Sequence, residues 1–472
     1  AERRRDPAST GERQVRTAER RRDPASTGER QVRTAERRRD PASTGERQVR
    51  TALTPTLTGG GAPGRPLPVL STDSEDLMLK LFSPQFASDI WAQRAAEVTA
   101  SRPFTENQVR DALLAYHKCP DAIRSINRHS EAVSAINGVR TPTVRADLLI
   151  QESDASLDEY AKRADQAMAN DEWSVAYFGL HAASPAMWDS AKSFADHLAY
   201  TLGHRPGGRV DIDCFVGRYS STHTGVHVDF AHNFAFTLRD GKTMFTWPGD
   251  REDLQGLKSP DYDPHKASST ALQNKSDRVA YFPQEYFHVA ESKDDVSINV
   301  NVTFWEEGND SKASADYIRA LLRTPARTHH DVHSSGPVTL GADDNFLLLT
   351  MRSLLTDGTL RRRMAIAQLI SDTSARLGVG RPLVDIDEIE ESVALTEVST
   401  LQWMPLEGLE EVLVAANGHV ATFPYSRDID ELLSQLAAGE TIDISRLNTR
   451  GTTPPDKQLL RVIVALARWG AL

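Results

Sequence analysis

The chain has 472 residues, 39% of them hydrophobic and 26% charged, which is too long for one compact domain and suits a soluble globular protein of two or three. It has no apolar run near the roughly 20 residues that a membrane span requires and no signal peptide, so a cytoplasmic location is the expectation. Only two cysteines, Cys119 and Cys214, are present, which leaves no basis for a disulfide framework or a thiolate zinc site.

Charge is distributed unevenly. Residues 1–51 are three copies of AERRRDPASTGERQVRT and carry +6, so the remainder of a chain whose total is −11 carries −17. The acidic body disfavours nucleic acid as a partner and favours basic ligands or peptides. The repeats have almost no large apolar residue, so they are expected to be disordered or loosely helical, either a recent duplication or a tethered substrate or docking tail. Residues 52–68, rich in Thr, Gly and Pro, read as a linker.

Folded sequence begins at about residue 69. Helices are expected over residues 76–80, 83–96, 105–117 and 120–137, with Leu77, Leu81, Phe86, Ile90 and Trp91 as buried positions. Ser156 followed by Glu159 predicts a capped helix to Ala169, and Pro185 to Leu202 reads as another. From Arg209 the pattern changes to short strands: 210–219, 233–239, 242–247, 278–282 and 296–305. In the last, Ile298, Val300, Val302 and Phe304 alternate with Asn299, Asn301, Thr303 and Trp305, placing one face on apolar packing and the other in a polar lumen. The fold class that follows is α+β, with a double-stranded β-helix (jelly-roll, cupin-like) core between helical flanks. Residues 311–399 read as mainly helical, with the apolar pattern of 345–370 suiting a dimer or core helix, and 400–472 as a small winged-helix-like module. Residues 428–447 are acidic, unlike a DNA-reading helix.

The chemistry is concentrated in Gly225-Val226-His227-Val228-Asp229 and, roughly 60 residues on, Phe287-His288-Val289. His227 and Asp229 are two apart and so share one face of a strand. Two imidazoles and one carboxylate with open coordination positions form the facial triad that suits Fe(II) in non-haem oxygenases. The free positions accommodate the keto acid end of 2-oxoglutarate and dioxygen. Lys242, following the hairpin turn after the Asp229 strand, suits the far carboxylate of that cosubstrate, with Thr224 as a hydrogen-bond donor. His-x-Asp alone is a weak signal; the surrounding strands, the second histidine and the downstream lysine strengthen it. His223 and His232 flank the triad as mouth residues or neutral polar positions. Trp247, Trp305 and Tyr286 read as packing residues, and the cluster His329-His330-Asp331-Val332-His333 as a solvated loop.

Residues 75–310 resemble the JmjC-type, cupin-like 2-oxoglutarate oxygenases. The segment HVDFAHNFAFTLRDGKTMFTWP is similar to the metal-binding strand pair of the asparaginyl hydroxylase that inhibits hypoxia-inducible factor. The domain plan resembles the ribosomal oxygenases, which hydroxylate arginine or histidine in ribosomal proteins; relatives with this plan also modify ribosomally made peptides. The resemblance implies iron on His227, Asp229 and His288, and 2-oxoglutarate on Lys242 and Thr224 with Asn233 nearby. Thr303 stands where the asparaginyl hydroxylase has an Asn, and Lys242 where ribosomal oxygenases usually have Arg. Asp229, rather than a halide-admitting Gly, implies hydroxylation. The resemblance further implies a catalytic domain over 69–310, dimerisation through 311–399 to give a homodimer, and a protein or peptide substrate; the acidic body suits a basic one, and the charge contrast makes the repeats themselves a candidate. Hydroxylation of a free amino acid or small metabolite, and a catalytically silent binding scaffold, are the alternatives.

Overall fold

The element that organises the molecule is a 19-residue strand, Phe287–Trp305, which takes part in two sheets. The computed structural model describes residues 81–126, 132–305, 359–386, 389–406, 408–444 and 457–472. In chain order these hold α1 (Pro84–Asp89), β1 (Ala96–Val98), α2 (Glu106–Ala115), α3 (Pro120–Ile126), β2 (Val133–Ile136), β3 (Val139–Arg140), α4 (Leu157–Met168), β4 (Trp173–Tyr177) and α5 (Pro185–Leu202). The strands β5 (Val210–Tyr219), β6 (His227–Val228), β7 (Ala231–Arg239), β8 (Lys242–Trp247), β9 (Thr270–Asn274), β10 (Val279–Phe282) and β11 (Phe287–Trp305) follow.

The major sheet has the order β1-β10-β7-β11-β5-β4-β2-β3, all antiparallel. The first part of β11 instead pairs with β6 and β8, and β8 pairs with β9, forming the minor sheet. The crossing point is an irregularity between Ser292 and Ser297, where Lys293, Asp294 and Asp295 are exposed. The two sheets face each other: Ala235, Ala280 and Phe282 of one pack with Met244, Leu272 and Ala290 of the other. This is a double-stranded β-helix. The alternation in β11 works as its sequence pattern predicts. Ile298, Val300, Val302 and Phe304 join Trp188, Phe194 and Leu198 of α5 in the main apolar core, while Asn299, Asn301 and Thr303 are buried on the opposite face.

Local chemistry explains the helices. Ser156 Oγ accepts the amide of Glu159 at 3.1 Å, and Glu159 returns a bond to the amide of Ala155. Ser184 caps α5, Pro185 opens it, and Gly203 at φ +73° ends it. Two expectations are corrected. The helix expected over 83–96 stops at Asp89, and Ala96–Val98 becomes an edge strand on β10; Ala92, at φ +57°, breaks the helical path. The helix expected over 120–137 stops at Ile126, because Val133–Ile136 pairs with β4; long-range pairing decides a short stretch that has no clear period.

The C-terminal part contains α6 (Thr359–Thr373), the short pair β12 (Ser392–Val393) and β16 (Ile442–Asp443), the sheet β13 (Leu401–Leu406), β14 (Glu411–Ala416), β15 (His419–Pro424), and helices α7 (Arg427–Ala437) and α8 (Lys457–Arg468). Leu369 of α6 covers one face of that sheet at Leu413 and Ala415, while α7 and α8 cover the other through Leu432, Leu436, Val462 and Leu466. The segment between α6 and β12 fastens this part to the barrel: Arg381 makes a bidentate pair with Asp189 of α5 at 2.8 Å, Trp188 Nε1 donates to Val379 O, and buried His181 contacts Leu377 O at 2.9 Å. Of the sequence expectations, the repeats, the linker, the helix over 76–80 with Leu77, the His329–His333 cluster and all of 311–358 lie outside the described residues.

Candidate metal centre

β6 supplies His227, the chain leaving it supplies Asp229, and the start of β11 supplies His288. His227 and His288 are opposite each other in the β6–β11 register, and Thr246 of β8 is opposite His288 on its other side. The nearest ligating atoms of His227, Asp229 and His288 all lie within 4.8 Å of one another, with His227 Nε2 3.8 Å from Asp229 Oδ1 and His288 Nε2 3.5 Å from Asp229 Oδ2. Each imidazole is oriented from behind. Nδ1 of His227 is 2.9 Å from Gly225 O and Nδ1 of His288 is 3.0 Å from Tyr286 O, so a proton donated there leaves each Nε2 as the free ligand. The backbone carbonyls thus select the tautomer that a metal needs.

Protonation is poised for a dication. Burial, then the neighbouring His288, pushes His227 down to about 4. Burial raises Asp229, but the hydrogen bond and charge of His288 and the charge of His227 outweigh it and hold the carboxyl at about 2. At neutral pH His227 is a neutral donor and Asp229 a carboxylate. His288 is buried while the Asp229 side chain is 35% exposed, so the three ligands open to one side.

A loop over 248–269 supports the His227 strand. Val226 donates to Leu257 O at 2.8 Å and accepts from Gly256 at 2.7 Å. Gly225 has φ +66°, and a Cβ there would lie 2.4 Å from Leu257 O, so a side chain is excluded where this loop approaches. Tyr262 pins the loop by donating to Ser220 O or Glu291.

Beneath the triad is a polar lumen. Lys242, only 4% exposed, projects from β8 over the Phe215 ring at 5.2 Å and has no ion pair among the described residues. Burial lowers its pKa to about 8, partly offset by Cys214. Along β11 the lumen face runs Asn299, Asn301, Thr303, opposite Thr237, Ala235 and Asn233 of β7 and Phe215, Asp213 and Asp211 of β5. Oδ1 of Asn233, Asn299, Asn301 and Asp211, and both polar side-chain atoms of Asn274 beside Lys242, are buried without a partner. Orphaned buried polar atoms carry a desolvation cost, so a lumen lined with them beside a lone ammonium fits an anionic polar ligand.

The sequence candidates are therefore distributed as follows. His227, Asp229 and His288 come together. Asn233 and Thr303 face each other in the β7–β11 register, and Phe282, opposite Asn233 on β10, has its ring 4.6 Å from that of His288. Thr224 is exposed, with Oγ1 2.8 Å from Thr222 Oγ1 and 3.4 Å from His227 Nδ1; no hydrogen bond among the described residues joins it to Lys242. His232 is not at the mouth: it is fully buried on the outer face of β7, stacked on Trp91 at 4.0 Å and bonded to Tyr281. A residue next to Asn233 on a strand points to the opposite face, which is the reason. Two lumen residues went unrecognised in the sequence, Asp211 and Asp213. Burial and the Asp211 carboxylate raise Asp213 well above the carboxylate range, and its Oδ1 accepts the Gly179 amide at 2.9 Å. Two acids alternating with Val210, Ile212 and Cys214 were the available signal.

No protein-family model and no curated protein matches the chain. Solved structures similar to it include the ribosomal oxygenase YcfD from Escherichia coli, at 12% identity and a TM-score of 0.38 over 82% of this chain and 96% of that one. The same Escherichia coli protein in complex with cobalt and 2-oxoglutarate gives 13% identity, and in complex with cobalt and succinic acid 14%, each with a TM-score of 0.38 and the same coverage. At that level of similarity the fold rests on the strand order and register above, and the site on its own geometry.

Proposed function

We propose that this chain is an Fe(II)- and 2-oxoglutarate-dependent dioxygenase that hydroxylates a side chain of a protein or peptide. The observation that carries the reading is the combination of a three-ligand centre, open on one side, with a buried ammonium in the lumen behind it that has no ion pair among the described residues. His227, Asp229 and His288 would hold the metal, Lys242 the far carboxylate of 2-oxoglutarate, and Asn233 and Thr303 would lie beside it. Bound iron and its keto acid supply the oxidising power for attack on an unactivated carbon–hydrogen bond. The residues of the chain do the remaining work. The carbonyls of Gly225 and Tyr286 keep both imidazoles in the ligating tautomer. Lys242 neutralises and aligns the cosubstrate, and the apolar pair Phe282 and Met244 limits water near the reacting groups. Thr224, exposed at the rim, would contribute only on closure around the ligand.

The charge contrast between the acidic body and the repeats supports a basic substrate, with the repeats as a candidate, and the apolar sequence pattern of residues 345–370 supports a homodimer contact within 311–399. The test is succinate formation from 2-oxoglutarate with Fe(II), by wild type and by His227→Ala. Turnover that vanishes in the variant is expected; equal turnover by both, or none by either, overturns the reading. Intact-mass analysis of the same reactions checks the repeats, because no gain of one oxygen on residues 1–51 removes them as substrate.

A further inference from the structure

Two exposed side chains that adjoin the triad through the backbone have identities that packing does not explain. Phe230 directly follows Asp229 and precedes the wholly buried Ala231, yet it is 61% exposed. Glu285 lies in the turn between β10 and β11 at φ +64°, a left-handed conformation that turns usually assign to Gly or Asn. A strained residue held at a site is a pointer to function.

The backbone joins the two. The amide of Glu285 donates to Asp229 O at 3.3 Å, and that carbonyl belongs to the peptide bond leading into Phe230. The next residue, Tyr286, holds His288 through its own carbonyl. One exposed aromatic ring and one exposed carboxylate are therefore anchored within a single hydrogen bond of the same metal ligand, and Glu285 makes no ion pair among the described residues.

Resting on the reading of the open side as the substrate entrance, we infer that Phe230 and Glu285 select a cationic side chain of the substrate. A guanidinium or ammonium stacks on the Phe230 ring and pairs with the Glu285 carboxylate, which brings its carbon chain to the triad. The cationic part of the substrate thereby enters beside Asp229.

The experiment is fluorescence anisotropy of labelled hexa-arginine and hexa-glutamate peptides with the full chain, loaded with Mn(II) and 2-oxoglutarate under nitrogen, at physiological salt. Wild type is expected to prefer hexa-arginine. Glu285→Gly removes the carboxylate and relieves the backbone strain, so it should melt at or above the wild-type temperature while binding hexa-arginine about tenfold more weakly. Phe230→Ala should lose several-fold and Phe230→Tyr should retain affinity, while Glu285→Lys should shift preference toward hexa-glutamate. Unchanged hexa-arginine affinity in Glu285→Gly and Phe230→Ala, or no hexa-arginine binding by wild type, overturns the inference. The oxygenase reading fails separately: succinate would be absent even though the peptide preference followed Phe230 and Glu285.

Discussion

Lys242 extends its ammonium into the barrel with no ion pair among the described residues, and this has consequences for both binding and stability. Its folded pKa of about 8 lies below the ordinary lysine value of 10.5. The unfolded chain therefore holds this proton more tightly; the buried charge destabilises the fold below about pH 8, and stability from this group returns as pH rises from about 8 toward 10.5. A carboxylate ligand requires the charged form. Affinity for 2-oxoglutarate, measured by titration calorimetry with Mn(II), should be full below that value and fall about tenfold per pH unit above it. Lys242→Arg should flatten this profile. Lys242→Met should abolish binding while raising the melting temperature of the ligand-free protein, because a lone buried charge is exchanged for an apolar chain. The triad behaves in the opposite sense. With His227 at about 4 and Asp229 at about 2, protons compete with the metal at these two groups only in acid. Mn(II) should raise the melting temperature at pH 7, lose that effect as pH falls toward 4, and have none in Asp229→Ala.

The His227 strand is two residues long and gains its rigidity from the loop over 248–269. Gly225→Ala tests this dependence. The added methyl meets Leu257 O in a backbone conformation that disfavours any side chain, so the variant should lose more than about 1 kcal/mol by denaturant melts and bind Mn(II) more weakly, although no ligand is altered. Element by element, legibility in the sequence followed periodicity. Ile298 to Trp305 announced a half-apolar strand because its alternation is strict, and the lumen positions Asn299, Asn301 and Thr303 followed from it. The triad was legible because His227 and Asp229 are two apart, at and just beyond a short strand, and His288 lies at the start of another. Val133–Ile136 was not legible, since four small and apolar residues acquire their full strand by pairing with β4, some 40 residues away in sequence. His232 was misplaced because proximity to a ligand in sequence was weighed above the face on which it falls.

At the scale of the whole molecule, the contacts among the described residues that join the barrel to the C-terminal part run through residues 374–384. Val210 at the start of β5 donates to Arg376 O, and the Arg381–Asp189 pair is largely withdrawn from solvent. Breaking such a pair leaves a poorly hydrated charge behind, which costs more than an exposed salt bridge would. Arg381→Ala should therefore expose this segment to limited proteolysis well before the barrel is cut, with the metal-induced rise in melting temperature retained in the barrel fragment. Retention of wild-type protease resistance would show that the contacts of Trp188 and His181 suffice.

The double membership of β11 restricts how this chain can change in length. His288 and the row Asn299, Asn301, Thr303 lie on one continuous strand, and in a strand parity decides which face a residue takes. A single residue inserted after Val300 would turn Asn301 and Thr303 into the apolar core and bring Val302 into the lumen. The same insertion after Asp294, in the exposed irregularity where the strand passes from one sheet to the other, would be absorbed with both faces intact. Soluble yield and Mn(II) binding of the two insertion variants would separate the cases. Descendants of this chain can lengthen the strand at its crossing point, and almost nowhere else along it.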